Sequence, residues 1–349
     1  MRLAILSDIH LGKKQYHTDV NSINKFEKAG YDIFDQAIDK IIDYNPELLL
    51  YCGDIFETPN PSILALSKFR QGLQRLNNIP SLMILGNHDF SFTNRFTDCS
   101  SVKAIIENSK FSIEKFAEYN VEYYIKDNHL FILLPYVYDK IENITTLWDK
   151  CEELCDKFPK AKKYLVTHGT TEYYINLHSE FKDRFVLPND LITKFDVVFI
   201  GHIHQPFDYY EGDTLVISPG ALIDYQADGC YTGPLFFDTD TKEFYREILD
   251  TPHLIKKTLD ETNINTFLSK IGPYMYKLTY SGDISAIDND LFILAKNKAI
   301  NLTLNLVTEE QQSDSTVMKV DSFYNWLKAN YPDRLNIFKE ATEELNKGV

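Results

Sequence analysis

Cysteine is scarce and scattered in this chain. Cys52, Cys99, Cys151, Cys155 and Cys230 are the five among 349 residues, and so sparse and odd a set excludes a disulfide framework. Cys151 and Cys155 lie four apart in "LWDKCEELCDKF", one helix face. With no further cysteine pair or histidine beside them they read as packing residues, not a zinc site. No apolar run approaches the ~18 residues of a membrane span. "MRLAILSDIH" is too short in its apolar part and too soon acidic for a signal peptide, so a cytoplasmic location and no membrane partner are expected. Positive charge is lacking too, with 36 Lys and Arg against 51 Asp and Glu, a net charge of -15. That excludes a chain that grips nucleic acid over a broad basic surface by itself. It does not exclude a nucleic-acid enzyme, because bound metals or a basic partner supply positive charge locally.

What is present is ordinary in bulk and specific in pattern. Hydrophobic residues at 44% and charged residues at 25% fit a globular protein of about two domains. Short apolar runs end abruptly in polar residues, and amphipathic segments follow. "RLAIL" runs into Ser7-Asp8, "ELLLYC" into Gly53-Asp54, and "SLMIL" into Gly86-Asn87-His88-Asp89. Later "KYLV" runs into Thr167-His168 and "VVFI" into Gly201-His202. Such runs suit strands buried on both faces. Between them, Phe34, Ala37, Ile38, Ile41 and Ile42 make one helical stripe. Ile63, Leu66, Phe69, Leu73 and Leu76 make another, with Ser62 as its N-cap. The series is α/β, and ligands in such sheets bind beyond the carboxyl ends of the strands. "GPLFFDTDTKEFYREIL" reads as a hairpin turning near Asp238 to Lys242. Residues 1–252 form the expected first domain and 253–307 a small α+β domain. A polar linker at 308–320 leads to two C-terminal helices at 321–349, broken at Pro332.

The strand-end residues are Asp8 and His10, Asp54, Asn87 and His88, His168, and His202 and His204. With extended backbone, Asp8/His10 and His202/His204 each project to one side. Setting His88 aside, the set holds two carboxylates, one amide oxygen and four histidines. Nitrogen and oxygen donors without sulfur suit Mn, Fe or Zn and not a structural zinc knot. Seven ligands are too many for one ion, so two are implied, with a carboxylate bridging them at about 3.5–4 Å separation. A strand-terminal Asp alone is usually a turn residue, and a lone "HIH" a surface pair. Five such elements, each after its own apolar run, leave little room for that reading.

"SDIHLG", "GDIF", "LGNHD", "THG" and "GHIH", in that order, resemble the calcineurin-like metallophosphoesterase family. "NPS" after "GDIF" and "SPGAL" after "GHIH" look most like its DNA-repair nuclease branch, the SbcD-like subunits of SbcCD-type complexes and their relatives in large bacteriophages. The motifs cover residues 1 to about 250. The resemblance implies a metallophosphoesterase β-sandwich core flanked by helices, with a smaller cap domain facing DNA. It implies a first metal on Asp8, His10 and His204, a second on Asn87, His168 and His202, Asp54 bridging, and two divalent ions, expected to be Mn2+. His88 would stabilise charge on the scissile phosphate or protonate the leaving oxygen. It also implies a DNA exonuclease/endonuclease paired with an SbcC-like coiled-coil ATPase, homodimeric within a heterotetramer, in a host cytoplasm if phage-encoded.

Departures from the family pattern are local. Glu57 stands where many relatives have His or Asp, and it either orients His88 or is a loop charge. Ala221 replaces a frequent Ser. Lys13, Lys14 and Arg95 either meet phosphates or are solvated. His17, His129, His178 and His253 match no motif. Apolar residues of the terminal helices (Phe323, Trp326 and Leu327 among them) either dock the ATPase or pack on the cap. The alternative function is a small-molecule phosphatase or phosphodiesterase of the same fold.

Overall fold

The structure is a computed structural model and describes residues 1–15, 19–20, 23–90, 100–107, 109–136, 141–178, 185–223 and 233–307. His17, Arg95, Cys99, Cys230, the expected linker and the expected C-terminal helices lie outside the described residues.

In chain order the strands of three or more residues begin with β1 (Arg2–Leu6), β2 (Leu48–Cys52), β3 (Ser81–Ile84), β4 (Ile113–Ala117), β5 (Glu122–Lys126), β6 (His129–Leu134) and β7 (Lys162–His168). They continue with β8 (Val197–Gly201), β9 (Phe207–Glu211), β10 (Thr214–Ser218), β11 (Leu235–Asp238), β12 (Phe244–Arg246), β13 (Leu254–Asp260), β14 (Met275–Ser281) and β15 (Asn301–Val307). One sheet runs β12-β11-β1-β2-β3-β4 and a second runs β9-β10-β8-β7-β6-β5. β1 to β4 are parallel, as are β6, β7, β8 and β10. The β11–β12 hairpin, β9 and β5 join antiparallel.

Alternation along each strand explains why both faces read as apolar. Leu3, Ile5, Leu48 and Leu50 point between the sheets and meet Leu133, Val166, Phe199 and Ile217. Their neighbours Ala4, Leu6, Leu49 and Tyr51 share an outer core with Phe34, Ile38, Phe69 and Leu73. Those four belong to the helices Lys25–Tyr44 and Ile63–Arg75. On the second sheet Leu165, Val198 and Ile200 share another outer core with Cys151 and Cys155 of the helix Ile141–Lys157. Both thiols are therefore core residues. The result is a β-sandwich flanked by helices. Ser62 caps its helix as the sequence indicates, its Oγ accepting from the Ala65 N–H at 3.2 Å.

Parallel strands deliver their C-terminal ends to one edge, and every motif sits there. The two sheets close on each other at that edge. A Cβ on Gly201 would stand 2.2 Å from Ser7 Oγ and 2.3 Å from the Cys52 carbonyl oxygen. A Cβ on Gly86 would stand 2.2 Å from Asp54 Oδ1. Only glycine permits these approaches.

Beyond the sandwich, β13, β14 and β15 form a separate all-parallel sheet. The helices Ile264–Ser269 and Asn289–Lys298 alternate with its strands, so this unit is built from two parallel crossovers in the α/β manner. Leu259, Ile264, Leu268, Leu278 and Ala295 form its core. Sequence periodicity does not reveal β13, because Leu259 is its one fully buried residue. Lys25 Nζ joins this unit to the sandwich, donating to the carbonyls of Lys296, Asn297 and Ala299 at 3.2, 2.9 and 2.7 Å. These lie at the end of the helix Asn289–Lys298, where a cation is favoured.

Gly201→Ala is expected to lower stability by about 1–3 kcal/mol, because backbone stands in the way of the methyl group. Urea unfolding checks this; an unchanged midpoint would show that the sheets can part without cost.

Candidate metal centre

Past their ends, β1 and β2 continue as a backbone ladder. The N–H groups of Asp8, His10 and Leu11 donate to the carbonyls of Gly53, Asp54 and Ile55 at 3.1, 3.0 and 2.9 Å. Glu57 N–H donates back to Leu11 O at 3.2 Å. Within the ladder the chain is not extended. Asp8, His10 and Asp54 have φ of 49°, 49° and 52°, and His202 opposite has 92°. The expected extended i, i+2 projection is thus incorrect: left-handed turns aim these side chains. Ile9 and Ile203 do point away, into the core. Non-glycine residues in this region carry strain of about 1–3 kcal/mol each, tolerated where surrounding bonds over-determine the turn.

The turns gather the predicted donors into two groups. In one, His10 Nε2 and His204 Nε2 face each other at 3.1 Å, and Asp8 Oδ1 lies 3.9 and 3.7 Å from them. In the other, Asn87 Oδ1 lies 3.0 Å from His168 Nε2 and 2.8 Å from His202 Nδ1. Asp54 Oδ2 stands between the groups, 3.5 Å from His10 Nε2 and 3.4 Å from His168 Nε2. All seven predicted donors therefore meet. His88 is beside them, its ring 4.7 Å from that of His10 and partly open to solvent.

Neighbouring groups set the direction of each donor. His202 N–H donates to Asp8 Oδ1 and Oδ2 at 3.1 and 3.0 Å, and the Ser7 hydroxyl donates to Oδ2. His88 N–H donates to Asp54 Oδ1 at 2.8 Å. His168 Nδ1 lies 2.7 Å from the Cys52 carbonyl and His88 Nδ1 lies 2.8 Å from the Glu57 carbonyl. A carbonyl only accepts, so both rings carry Nδ1–H and turn Nε2 inward. The "SPGAL" loop braces the site through its backbone, Ala221 N–H donating to His204 O at 2.9 Å and Leu222 N–H to Asp8 O at 3.2 Å. Ala221 itself is buried.

The two open readings of Glu57 resolve differently from either expectation. Its carboxylate lies 2.8 Å from His10 Nδ1 and accepts from Lys13 Nζ at 3.0 and 3.1 Å. It stays 3.9 Å from His88 Nδ1. Lys13 is taken up by this pair, whereas Lys14 is mostly exposed, 3.8 Å from Glu27. His129, His178 and His253 lie apart from the cluster, against the Asp127 carbonyl, Tyr174 and Tyr274.

Burial opposes charge on Asp54, yet His168, His10 and His88 hold its carboxyl well below the usual range. Burial also works against an imidazolium at His168, but Asp54 and Asp8 outweigh it and raise the group to about 9. His204 is lowered to about 4, by burial first. Two buried carboxylates thus draw positive charge inward. Among the described residues no lysine or arginine pairs with either. Inward-facing ring nitrogens, two carboxylates and an amide oxygen, with no thiolate, fit divalent cations of the Mn, Fe or Zn kind.

Residues 1–206 match the family model described as calcineurin-like phosphoesterase. The chain belongs to this family. It is a metal-dependent phosphodiester hydrolase of that family, whose dinuclear site the two donor groups suit. Among relatives of this phosphoesterase is the DNA double-strand break repair protein Mre11 of Methanococcus maripaludis, 27% identical over 87% of this chain and 82% of the relative. The protein of that name from Methanocaldococcus jannaschii is 29% identical over 66% of this chain and 60% of the relative. A solved archaeal phosphodiesterase overlaps 71% of this chain and all of its own at 18% identity and a TM-score of 0.38, too loose a likeness to argue from.

Asp89, the last residue of "LGNHD", had no expected role. Its buried carboxylate accepts from the N–H groups of Ile55, Phe56 and Gly86 at 3.1, 2.9 and 3.1 Å, which fixes the loop carrying Asp54. Burial and then the Asp54 charge push it up to about 7, against those three donors. An acidic residue closing an otherwise recognised motif was the available signal. Tyr136, also unforeseen, packs 6.0 and 5.9 Å from the rings of His168 and His202.

Asp89→Asn offers one oxygen and an NH2 to three N–H donors, so a loss of about 1–3 kcal/mol is expected. Unfolding in urea checks it, and wild-type stability would show that these bonds are dispensable.

Proposed function

We propose that this phosphoesterase is a two-metal DNA nuclease acting in repair, recombination or replication with an SbcC-like coiled-coil ATPase. The observation that carries the reading is the sharing of Asp54 between two donor groups with His88 beside them. The names of the relatives support DNA as the substrate.

In this reading Asp8, His10 and His204 would hold a first ion and Asn87, His168 and His202 a second, and Asp54 would serve both. The expected ion is Mn2+. When bound, such a pair neutralises phosphate charge and acidifies water. The chain's own residues do the rest. Backbone N–H groups hold both carboxylates still, His88 for Asp54 and His202 for Asp8. Carbonyl contacts at Nδ1 leave Nε2 of His88 as the nitrogen that hydrogen-bonds the phosphate or hands a proton to the leaving oxygen.

Residues 253–307 act as the DNA-facing cap in this reading, 308–320 as a linker and 321–349 as the docking segment for the ATPase. The net charge of -15 suits a subunit that borrows basic DNA-binding surface. The expected setting is the cytoplasm, as a homodimer within a heterotetramer.

The test is Mn-dependent cleavage of linear duplex DNA set against hydrolysis of a chromogenic monoester. Cleavage of DNA is expected; activity on the monoester alone would favour a small-molecule phosphatase. His88→Ala should keep about two Mn2+ per chain and lose about 10²–10⁴-fold in cleavage; loss of metal instead would make His88 a ligand. Deleting residues 321–349 should spare hydrolysis of a simple phosphodiester and weaken ATPase binding in a pull-down, and undiminished binding would refute docking through that segment.

A further inference from the structure

We propose that Glu57, anchored by Lys13, is a positioning residue that selectively maintains the first metal site by orienting His10. The proposal rests on the two-ion reading above and adds a dependence that the family motifs do not contain.

The donor histidines are oriented by different means. His168 leans on a main-chain carbonyl, Cys52 O, at 2.7 Å. No side-chain substitution removes that oxygen. His10 instead has the Glu57 carboxylate 2.8 Å from Nδ1. A carboxylate at Nδ1 keeps the proton there and leaves Nε2 with its lone pair toward His204, Asp8 and Asp54. The carboxylate is itself fixed. Lys13 Nζ holds both oxygens at 3.0 and 3.1 Å. Lys13 N–H donates to His10 O at 3.1 Å, and Glu57 N–H donates to Leu11 O at 3.2 Å. Lys13, Glu57 and His10 are therefore tied by main chain as well as by side chain. The second group of donors is arranged by other means, since Asn87, His168 and His202 converge through Asn87 Oδ1. One side chain supports one site only.

Titrating Mn2+ into the full-length, chelator-treated protein by calorimetry tests this. Wild type should bind two ions. Glu57→Ala should weaken one of them about 10–100-fold and leave the other near its wild-type affinity. Glu57→Gln keeps an acceptor oxygen and should restore most of the lost affinity. In ¹⁵N-histidine spectra of the metal-free protein, His10 should hold its proton at Nδ1 in wild type and lose that preference in Glu57→Ala. His88, held by the carbonyl that survives substitution, should keep its tautomer in both. Two ions at wild-type affinity in Glu57→Ala would overturn the role of Glu57, as would equal weakening of both. Fewer than two ions in wild type would instead overturn the two-ion reading.

Discussion

Close contact between the two sheets at Gly201, and between neighbouring strand ends of the first sheet at Gly86, sets the distances on which the donor groups depend. Each sheet brings an incomplete set. The first supplies Asp8, His10, Asp54 and Asn87; the second supplies His168, His202 and His204. Neither set closes unless the sheet edges touch. The inter-sheet core of Leu, Ile, Val and Phe side chains presses the layers together. At the functional edge that packing gives way to backbone in contact with backbone.

The same contact manages the electrostatics. Asp8 and Asp54 are buried, and a buried carboxylate is costly unless hydrogen-bonded. Each accepts from a backbone N–H, Asp8 from His202 of the opposite sheet and Asp54 from His88 beyond the neighbouring strand. Assembly of the sheets thus stabilises Asp8 directly, while Asp54 is stabilised within the first sheet. The left-handed residues in the ladder are tolerated for the same reason, because neighbouring strands hold the main chain on both sides.

Much of this was legible in the sequence. Apolar runs ending in Asp, Asn or His located the functional edge, because strands buried on both faces leave only their ends for polar chemistry. The donor types set the metal class. The turn geometry was not legible, since left-handed φ at Asp8 and His10 follows from the ladder and not from residue preference. The partner of Glu57 was hidden too: Lys13 is 44 residues away in sequence, and a carboxylate near two histidines cannot announce which one it meets. Asp89 closes a motif whose other members are the site residues, and the three backbone N–H groups it accepts from leave no mark in the sequence. β13 was missed because an edge strand with one buried residue carries no alternation.

The contrast between main-chain and side-chain support bears on how such a site can drift. Carbonyls that orient His168 and His88 are present whatever residues occupy positions 52 and 57. Those rings are insured against neutral change nearby. In the proposed role His10 depends on a carboxylate and an ammonium, two side chains that single substitutions remove. One half of the centre is thus exposed to a change at position 13 or 57 that the other half would not feel through its ring supports.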